Sequence, residues 1–232
     1  MRKAYFFTLA GKKLKVIIYF LGFLPVILCT RLTEEKYIVA WSDQVVQDTP
    51  KIALTFDDGP HPYLTEQLLD GLAERNVKVT FFVTGEHAFL HPEVIKRMRR
   101  EGHLVGNHTY SHMQLRKENR EEFKEELLKT SRLLEKILGE DILFVRPPYG
   151  SWDKSLEKEV NMIPVLWTVD PLDWCSDNVA CVTANVVTAS RENSIILMHD
   201  YYETSVTAAL NAVDELQKRG YDFVTVDELL FE

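Results

Sequence analysis

The chain has 232 residues, 46% of them hydrophobic and 27% charged, with 10 glycines and 9 prolines, enough for one domain with a buried core and unlike a collagen, a low-complexity chain or a disulfide-dense miniprotein. Its net charge of −8 is unevenly spread: residues 1–31 hold six cations (Arg2, Lys3, Lys12, Lys13, Lys15, Arg31) and no acid, leaving 21 basic against 35 acidic residues beyond them. A domain that acidic repels a phosphate backbone, so nucleic acid is excluded as the expected partner.

Val16–Thr30 is an uncharged, largely apolar run between Lys15 and Arg31. As a helix it spans roughly 22 Å, short of the roughly 30 Å hydrocarbon core. It therefore lies between a signal-peptide core and a short spanning helix. Ile27-Leu28-Cys29-Thr30 offers no small-x-small cleavage site. Residues 1–30 are expected to be a basic stretch and an uncleaved anchor helix, with the positive end in the cytoplasm. Residues 31–50 read as a stalk, and residues 51–232 as one domain outside the cell membrane (secreted, should the segment be cleaved). The alternative is a helix buried in the domain. Cys175 and Cys181 fit a disulfide outside a cell or two small buried side chains.

Beyond the stalk, short β-branched or aromatic runs alternate with amphipathic stretches. Strands are expected at Lys51–Phe56, Val77–Val83, Leu104–Asn107, Ile142–Val145, Val165–Val169, Ser194–Met198 and Phe223–Val226. Helices are expected near 63–75, 92–101, 118–138, 153–160, 178–190 and 203–219. In the clearest of them Phe123, Leu127, Leu128, Leu134, Ile137 and Leu138 recur at three- and four-residue steps until Gly139. About seven strand–helix alternations argue for a parallel α/β fold, a barrel or an open doubly wound sheet. In both, functional groups gather on loops at the carboxyl ends of the strands.

Unusual polar residues do fall there. The first strand ends in Asp57-Asp58-Gly59-Pro60, two carboxylates on a sharp turn, although Asp-Gly-Pro is also ordinary turn chemistry. The third ends in His108-Thr109-Tyr110-Ser111-His112. Histidines four apart meet on one face of a helical turn and could share a metal with a carboxylate. The fourth ends in Arg146-Pro147-Pro148-Tyr149-Gly150, where the guanidinium can orient a carboxylate. The fifth runs into Asp170-Pro171-Leu172-Asp173-Trp174, and the sixth into Leu197-Met198-His199-Asp200. Each has an ordinary structural reading alone. Five strand ends that each deliver a titratable or metal-binding group rarely arise by chance.

These five ordered motifs resemble those of the NodB-type polysaccharide deacetylases, carbohydrate esterase family 4, over roughly residues 50–230. The resemblance implies a distorted (β/α) barrel of about seven parallel strands. It implies that Asp58, His108 and His112 hold a divalent metal, with Zn²⁺ favoured over Co²⁺ or another ion. Asp57 would be the general base, oriented by Arg146, and His199 the general acid, held by Asp173. Tyr149 would supply a backbone N–H to the oxyanion. Trp174 and Leu197 would wall the acetyl pocket, and Pro60 would lie on the substrate side. The implied reaction removes N-acetyl groups from an amino-sugar polymer by a monomeric, metal-dependent hydrolase. Peptidoglycan is favoured because an outward-facing anchored domain lies beside the wall.

The chemistry agrees, since an amide needs an activated water, a polarised carbonyl and an acid for nitrogen. A chitooligosaccharide deacetylase, an acetylxylan esterase and an amidase for non-sugar amides are the neighbouring readings. A non-catalytic sugar-binding member of the fold is the more distant one, and every catalytic position being filled argues against it. Two histidines and a carboxylate also suit a non-haem Fe(II) oxygenase. Such an enzyme has no need of the extra Asp–Arg and His–Asp pairs.

Overall fold

The computed structural model describes residues 49–231, together with the backbone of residues 4–9, 12–21 and 24–30. The chain divides into two units, Met1–Gln47 and Asp48–Glu232. In the first, strands β1 (Ala4–Leu9), β2 (Lys12–Leu21) and β3 (Leu24–Thr30) form an antiparallel sheet in which Tyr5 pairs Val16 and Ile17 pairs Leu28. Within the run expected to be an anchor, the backbone of residues 16–21 and 24–30 belongs to β2 and β3. The run is rich in β-branched and aromatic residues, and Pro25 cannot donate in a helix interior. Among the described residues no helix is long and apolar enough to cross a membrane. All but the last two residues of the expected stalk lie outside the described residues.

In the second unit, strands β4 (Lys51–Asp57), β5 (Thr80–Val83), β6 (Leu104–Asn107), β7 (Phe144–Val145), β8 (Ile163–Pro164), β9 (Ile195–His199) and β10 (Asp222–Phe223) form one sheet. Its order is β10-β4-β5-β6-β7-β8, β9 also pairs β4, and every pairing is parallel. The connections carry helices α1 (Leu64–Glu74), α2 (Gly85–Leu90), α3 (Pro92–Arg100), α4 (Arg120–Leu138), α5 (Glu157–Val160), α6 (Val179–Ala189) and α7 (Glu203–Lys218), and α8 (Val226–Phe231) ends the chain. The expected alternation is present. The short helices α2 and α8 were not legible, because neither is long enough to show a period.

β4 is buried along almost its whole length, as a strand covered on both faces must be. Its side chains alternate. Ile52, Leu54 and Phe56 join the large core formed with Leu68, Leu69 and Leu72 of α1, Val182 and Val186 of α6, and Ala209 and Val213 of α7. Ala53 joins Phe82, Phe144, Val165 and Val226 in a second cluster. The two-residue period puts Thr55 and Asp57 on the same side as Ala53, so the Asp57 carboxylate stands on the inner face. α4 buries Phe123, Leu127 and Leu134 and stops at Gly139, whose φ of 75° is costly for residues with a Cβ.

Val165–Val169 is not a regular strand, although the sequence suggests one. Only Ile163 and Pro164 pair with β7, and Val169 makes a single parallel bridge to Ile196 of β9. The reason lies in Arg146: its guanidinium donates to the carbonyls of Val165 (3.2 Å) and Leu166 (3.4 Å), occupying groups a ladder would use. Because β9 pairs β4, that bridge links the far end of the sheet back to its middle.

Candidate active site

Asp57 closes β4 and Asp58 follows it at φ 76°, ahead of a cis Gly59–Pro60 peptide. Asp58 Oδ1 lies 3.4 Å from His108 Nε2 and 3.4 Å from His112 Nε2. One ligand atom from each of the three residues lies within 4.8 Å of the others. The sheet and α4 hold this geometry together. Asn107, at the end of β6, donates to Leu127 O and Ser131 Oγ of α4 and accepts from Thr109 N–H. Glu126 of α4 accepts from the N–H groups of Tyr110 and Ser111. The two histidines therefore sit on a loop tied down at both its strand and its helix.

His108 is buried, and its Nδ1 donates to the Arg146 carbonyl at 2.6 Å, which turns its Nε2 toward Asp58. Burial opposes charge on His108, but Asp57 and Asp58 outweigh it and raise its pKa. Burial and the neighbouring His108 lower that of His112. Burial also works against the Asp58 carboxylate, yet the two histidines bring its pKa down to about 2. Asp58 Oδ1 is buried with no hydrogen-bond partner. A buried carboxylate oxygen left unpaired between two imidazole nitrogens is costly, and a divalent cation would satisfy all three. The donor set of two nitrogens and one oxygen suits Zn²⁺ and its neighbours among the transition metals.

Asp57 has a different surrounding. Arg146, fully buried on the inner face, donates from Nη1 to Asp57 Oδ1 (2.9 Å) and to Thr55 Oγ1 (2.6 Å) and lies over the Phe82 ring. Asp57 Oδ2 is 3.7 Å from His108 Nε2. Asp57 thus spends one oxygen on Arg146 and keeps the other beside His108. Arg146→Ala would strand Asp57 and two carbonyls without their donor. We expect it to cost about 3–5 kcal/mol in chemical denaturation. An unchanged midpoint would remove Arg146 as a keystone.

His199 ends β9. Its Nδ1 lies 2.9 Å from Asp173 Oδ1, and its backbone N–H donates to Asp173 Oδ2 at 2.8 Å. Burial opposes charge on the ring, but Asp173 outweighs it and raises the pKa to about 9. Both oxygens of the buried Asp173 are engaged, so the ring orientation is fixed.

The remaining expected residues fall around these two groups. Tyr149 is exposed at φ 57°, with its ring edge-on to that of His112 and the ring centroids 5.0 Å apart. Trp174 is exposed on the turn carrying Asp173. Leu197 is buried two residues before His199, and Pro60 is buried behind Asp58. Among the described residues, eight other than glycine have positive φ. The three far from this region are all asparagine, which tolerates it. The other five, Asp58, Thr109, His112, Tyr149 and Leu172, all flank the site, and backbone strain gathers where geometry matters. Thr55, Glu126 and His87, whose Nδ1 lies 2.7 Å from the Asp58 carbonyl, are supporting residues absent from the sequence-based set. Each acts through a contact between distant segments, and no local pattern marks it.

The family model for polysaccharide deacetylases matches residues 44–165. Over 202 residues the chain is 39% identical to a peptidoglycan-N-acetylglucosamine deacetylase of Bacillus cereus, covering 84% of this chain and 73% of that protein. It is 40% identical over 178 residues to the peptidoglycan-N-acetylmuramic acid deacetylase PdaC of Bacillus subtilis, covering 77% of this chain and 38% of that protein. The chain thus spans about two fifths of the length of some curated relatives it matches. The solved structure of PdaC superposes with a TM-score of 0.76 at 40% identity, covering 78% of this chain and 90% of that one.

Proposed function

Because the chain belongs to the polysaccharide deacetylase family, we propose that it hydrolyses N-acetyl groups from an amino-sugar polymer, and that this polymer is peptidoglycan. The observation that carries the reading is the division of labour between the two acids of one turn. Asp58 faces two imidazole nitrogens, whereas Asp57 faces Arg146 and keeps an oxygen beside the same nitrogens.

Asp58, His108 and His112 would hold a divalent cation, which we take to be Zn²⁺. When bound it supplies Lewis acidity, lowering the pKa of a water and polarising an acyl oxygen. Asp57 takes the proton of the attacking water, and Arg146 holds that carboxylate in place. His199, kept in its charged form by Asp173, gives a proton to the departing sugar nitrogen, without which an amine leaves poorly. Tyr149 supports the oxyanion through its backbone N–H. Trp174, Leu197 and Pro60 shape the space for the acetyl methyl and the sugar. We read the sheet, linked end to middle through Val169 and Ile196, as the family's distorted barrel.

The N-terminal cations around an apolar run support delivery of the domain to the outer face of the cell membrane. Fractionation of the tagged full chain with soluble protein would count against that. The function itself is tested with the full chain stripped of metal and reloaded with Zn²⁺, offered peptidoglycan and chitooligosaccharides. We expect acetate release that chelation abolishes and Zn²⁺ restores. No acetate from either polymer, with Zn²⁺ demonstrably bound, would overturn the reading.

A further inference from the structure

The domain beyond residue 31 is strongly acidic, yet one flank of the site is cationic. A cavity of about 640 Å³ lies between the loop that follows His112 and the loop that follows Tyr149. Leu115 forms part of its wall three residues beyond His112, a chain span of roughly 11 Å at most. On the other loop the wall begins at Gly150, next to Tyr149. Arg116, Lys117 and Arg120 line the cavity, with Asp153 as the one acid. Arg120 is engaged by Glu121, Asp153 and Glu159, and Asp153 also accepts from Ser155 N–H at 2.9 Å. Arg116 and Lys117 are exposed, and among the described residues neither makes an ion pair.

These cations stand on a fixed turn beside a fixed ring. Arg116 N–H donates to Asn119 Oδ1 (2.7 Å), and Asn119 Nδ2 donates to Gln114 O (2.9 Å), which closes the turn ahead of α4. Trp152 is partly buried and edge-on to Phe123 with centroids 6.5 Å apart, and its Nε1 donates to Glu157 Oε1 at 3.3 Å. Adjacent cations repel each other, and no acid in the wall is free to neutralise them, so the cavity favours an anion. Leu115 and Trp152 set apolar surface beside that charge. A ligand that brings carboxylates and methyl groups together matches both, whereas a bare phosphate leaves the apolar wall uncovered. We propose that this cavity receives an acidic peptide borne by the sugar strand, with its carboxylates paired to Arg116 and Lys117.

The proposal rests on the deacetylase reading and names the form of the polymer. In peptidoglycan a short peptide is joined to the lactyl carboxyl of N-acetylmuramic acid and carries free carboxylates. From a strand seated at Asp58, His108 and His112 such a peptide has only a short span to cross, because the wall begins three residues past His112. An uncharged chitooligosaccharide leaves both cations without a partner. Exposed ion pairs are individually weak, so the cavity sorts substrates by a modest factor and leaves the chemical step to the groups already described.

The test uses the full chain with Zn²⁺ and two peptidoglycan tetrasaccharides, one bearing peptides with free carboxylates and one with the same carboxylates amidated. Acetate release gives kcat/KM for each, and calorimetry gives binding. We expect the parent to prefer the free-carboxylate form about tenfold, since each exposed ion pair contributes a factor of about two to five. High salt should erase that preference. Arg116→Gln combined with Lys117→Gln should bring the two forms to near equality, and Arg116→Lys combined with Lys117→Arg should retain most of the difference. No preference in the parent, or one that the neutralised pair keeps, would overturn the subsite while leaving the deacetylase intact. Inhibition of the parent by a glycerol phosphate oligomer, with none by the free peptide, would assign the cavity to phosphate and overturn the peptide. If neither form yields acetate, the deacetylase reading falls and calorimetry alone decides. Tighter binding of the free-carboxylate form that depends on Arg116 and Lys117 then keeps the subsite, and binding indifferent to them removes it.

Discussion

Asp57→Asn should bind its divalent cation as the parent does and lose turnover by about 10²- to 10⁴-fold, the span typical of a lost general base. The substitution is nearly isosteric. The amide oxygen still accepts from Arg146 Nη1, which makes the 2.9 Å bond to Asp57 Oδ1, so the inner-face network keeps its donor and acceptor. What changes is the second position, 3.7 Å from His108 Nε2, where an oxygen that could take a proton becomes an N–H₂ group. Asp58, His108 and His112 are untouched. Metal content measured beside kcat separates the two roles. Full activity would remove Asp57 as the base, and loss of metal together with activity would place Asp57 among the ligands.

His199→Ala should cost about 10²- to 10⁴-fold on the acetamide and far less on an activated acetyl ester, whose leaving group departs unprotonated. Equal losses on the two substrates would count against proton donation. The pH profile carries a second signature. Asp173 raises the His199 pKa to about 9, so the ring is charged at neutral pH and the rate should fall as pH rises through about 9. Asp173→Asn removes the charge that lifts it, and the alkaline limb should move down toward the ordinary histidine value of about 6.5. The same linkage acts on stability. A histidine whose pKa is raised by folding stabilises the native state fully below its unfolded value, and that contribution disappears as pH rises through about 9. Thermal melts of parent and Asp173→Asn should therefore differ most near neutrality or below and converge in alkali.

Which parts of this were legible in the sequence follows from the range of the interactions. Asp57-Asp58, His108 with His112, Arg146 and His199 each stand directly after a run of strand-forming residues, so their places at strand ends could be read locally. α4 was equally plain, because its apolar period runs for five turns and a glycine ends it. One strand could not be read locally. The run Val165–Val169 has the composition of a strand, but the carbonyls of Val165 and Leu166 are taken by a guanidinium some 20 residues away in sequence.

The sequence by itself determined which chemistry the protein carries: the kinds of groups, their order, and their attachment to strand ends, because residue identity and a two- or three-residue period are local properties. Only the tertiary structure shows how the two acids of one turn come to face different partners. Asp57 and Asp58 are adjacent and chemically alike. They part because the strand's alternation turns Asp57 inward to Arg146, while the left-handed backbone at Asp58 turns it toward the two histidines. The same holds for Glu126 and His87. Their meaning lies in neighbours brought close by packing, and pairwise distance between remote segments is not written in any one of them.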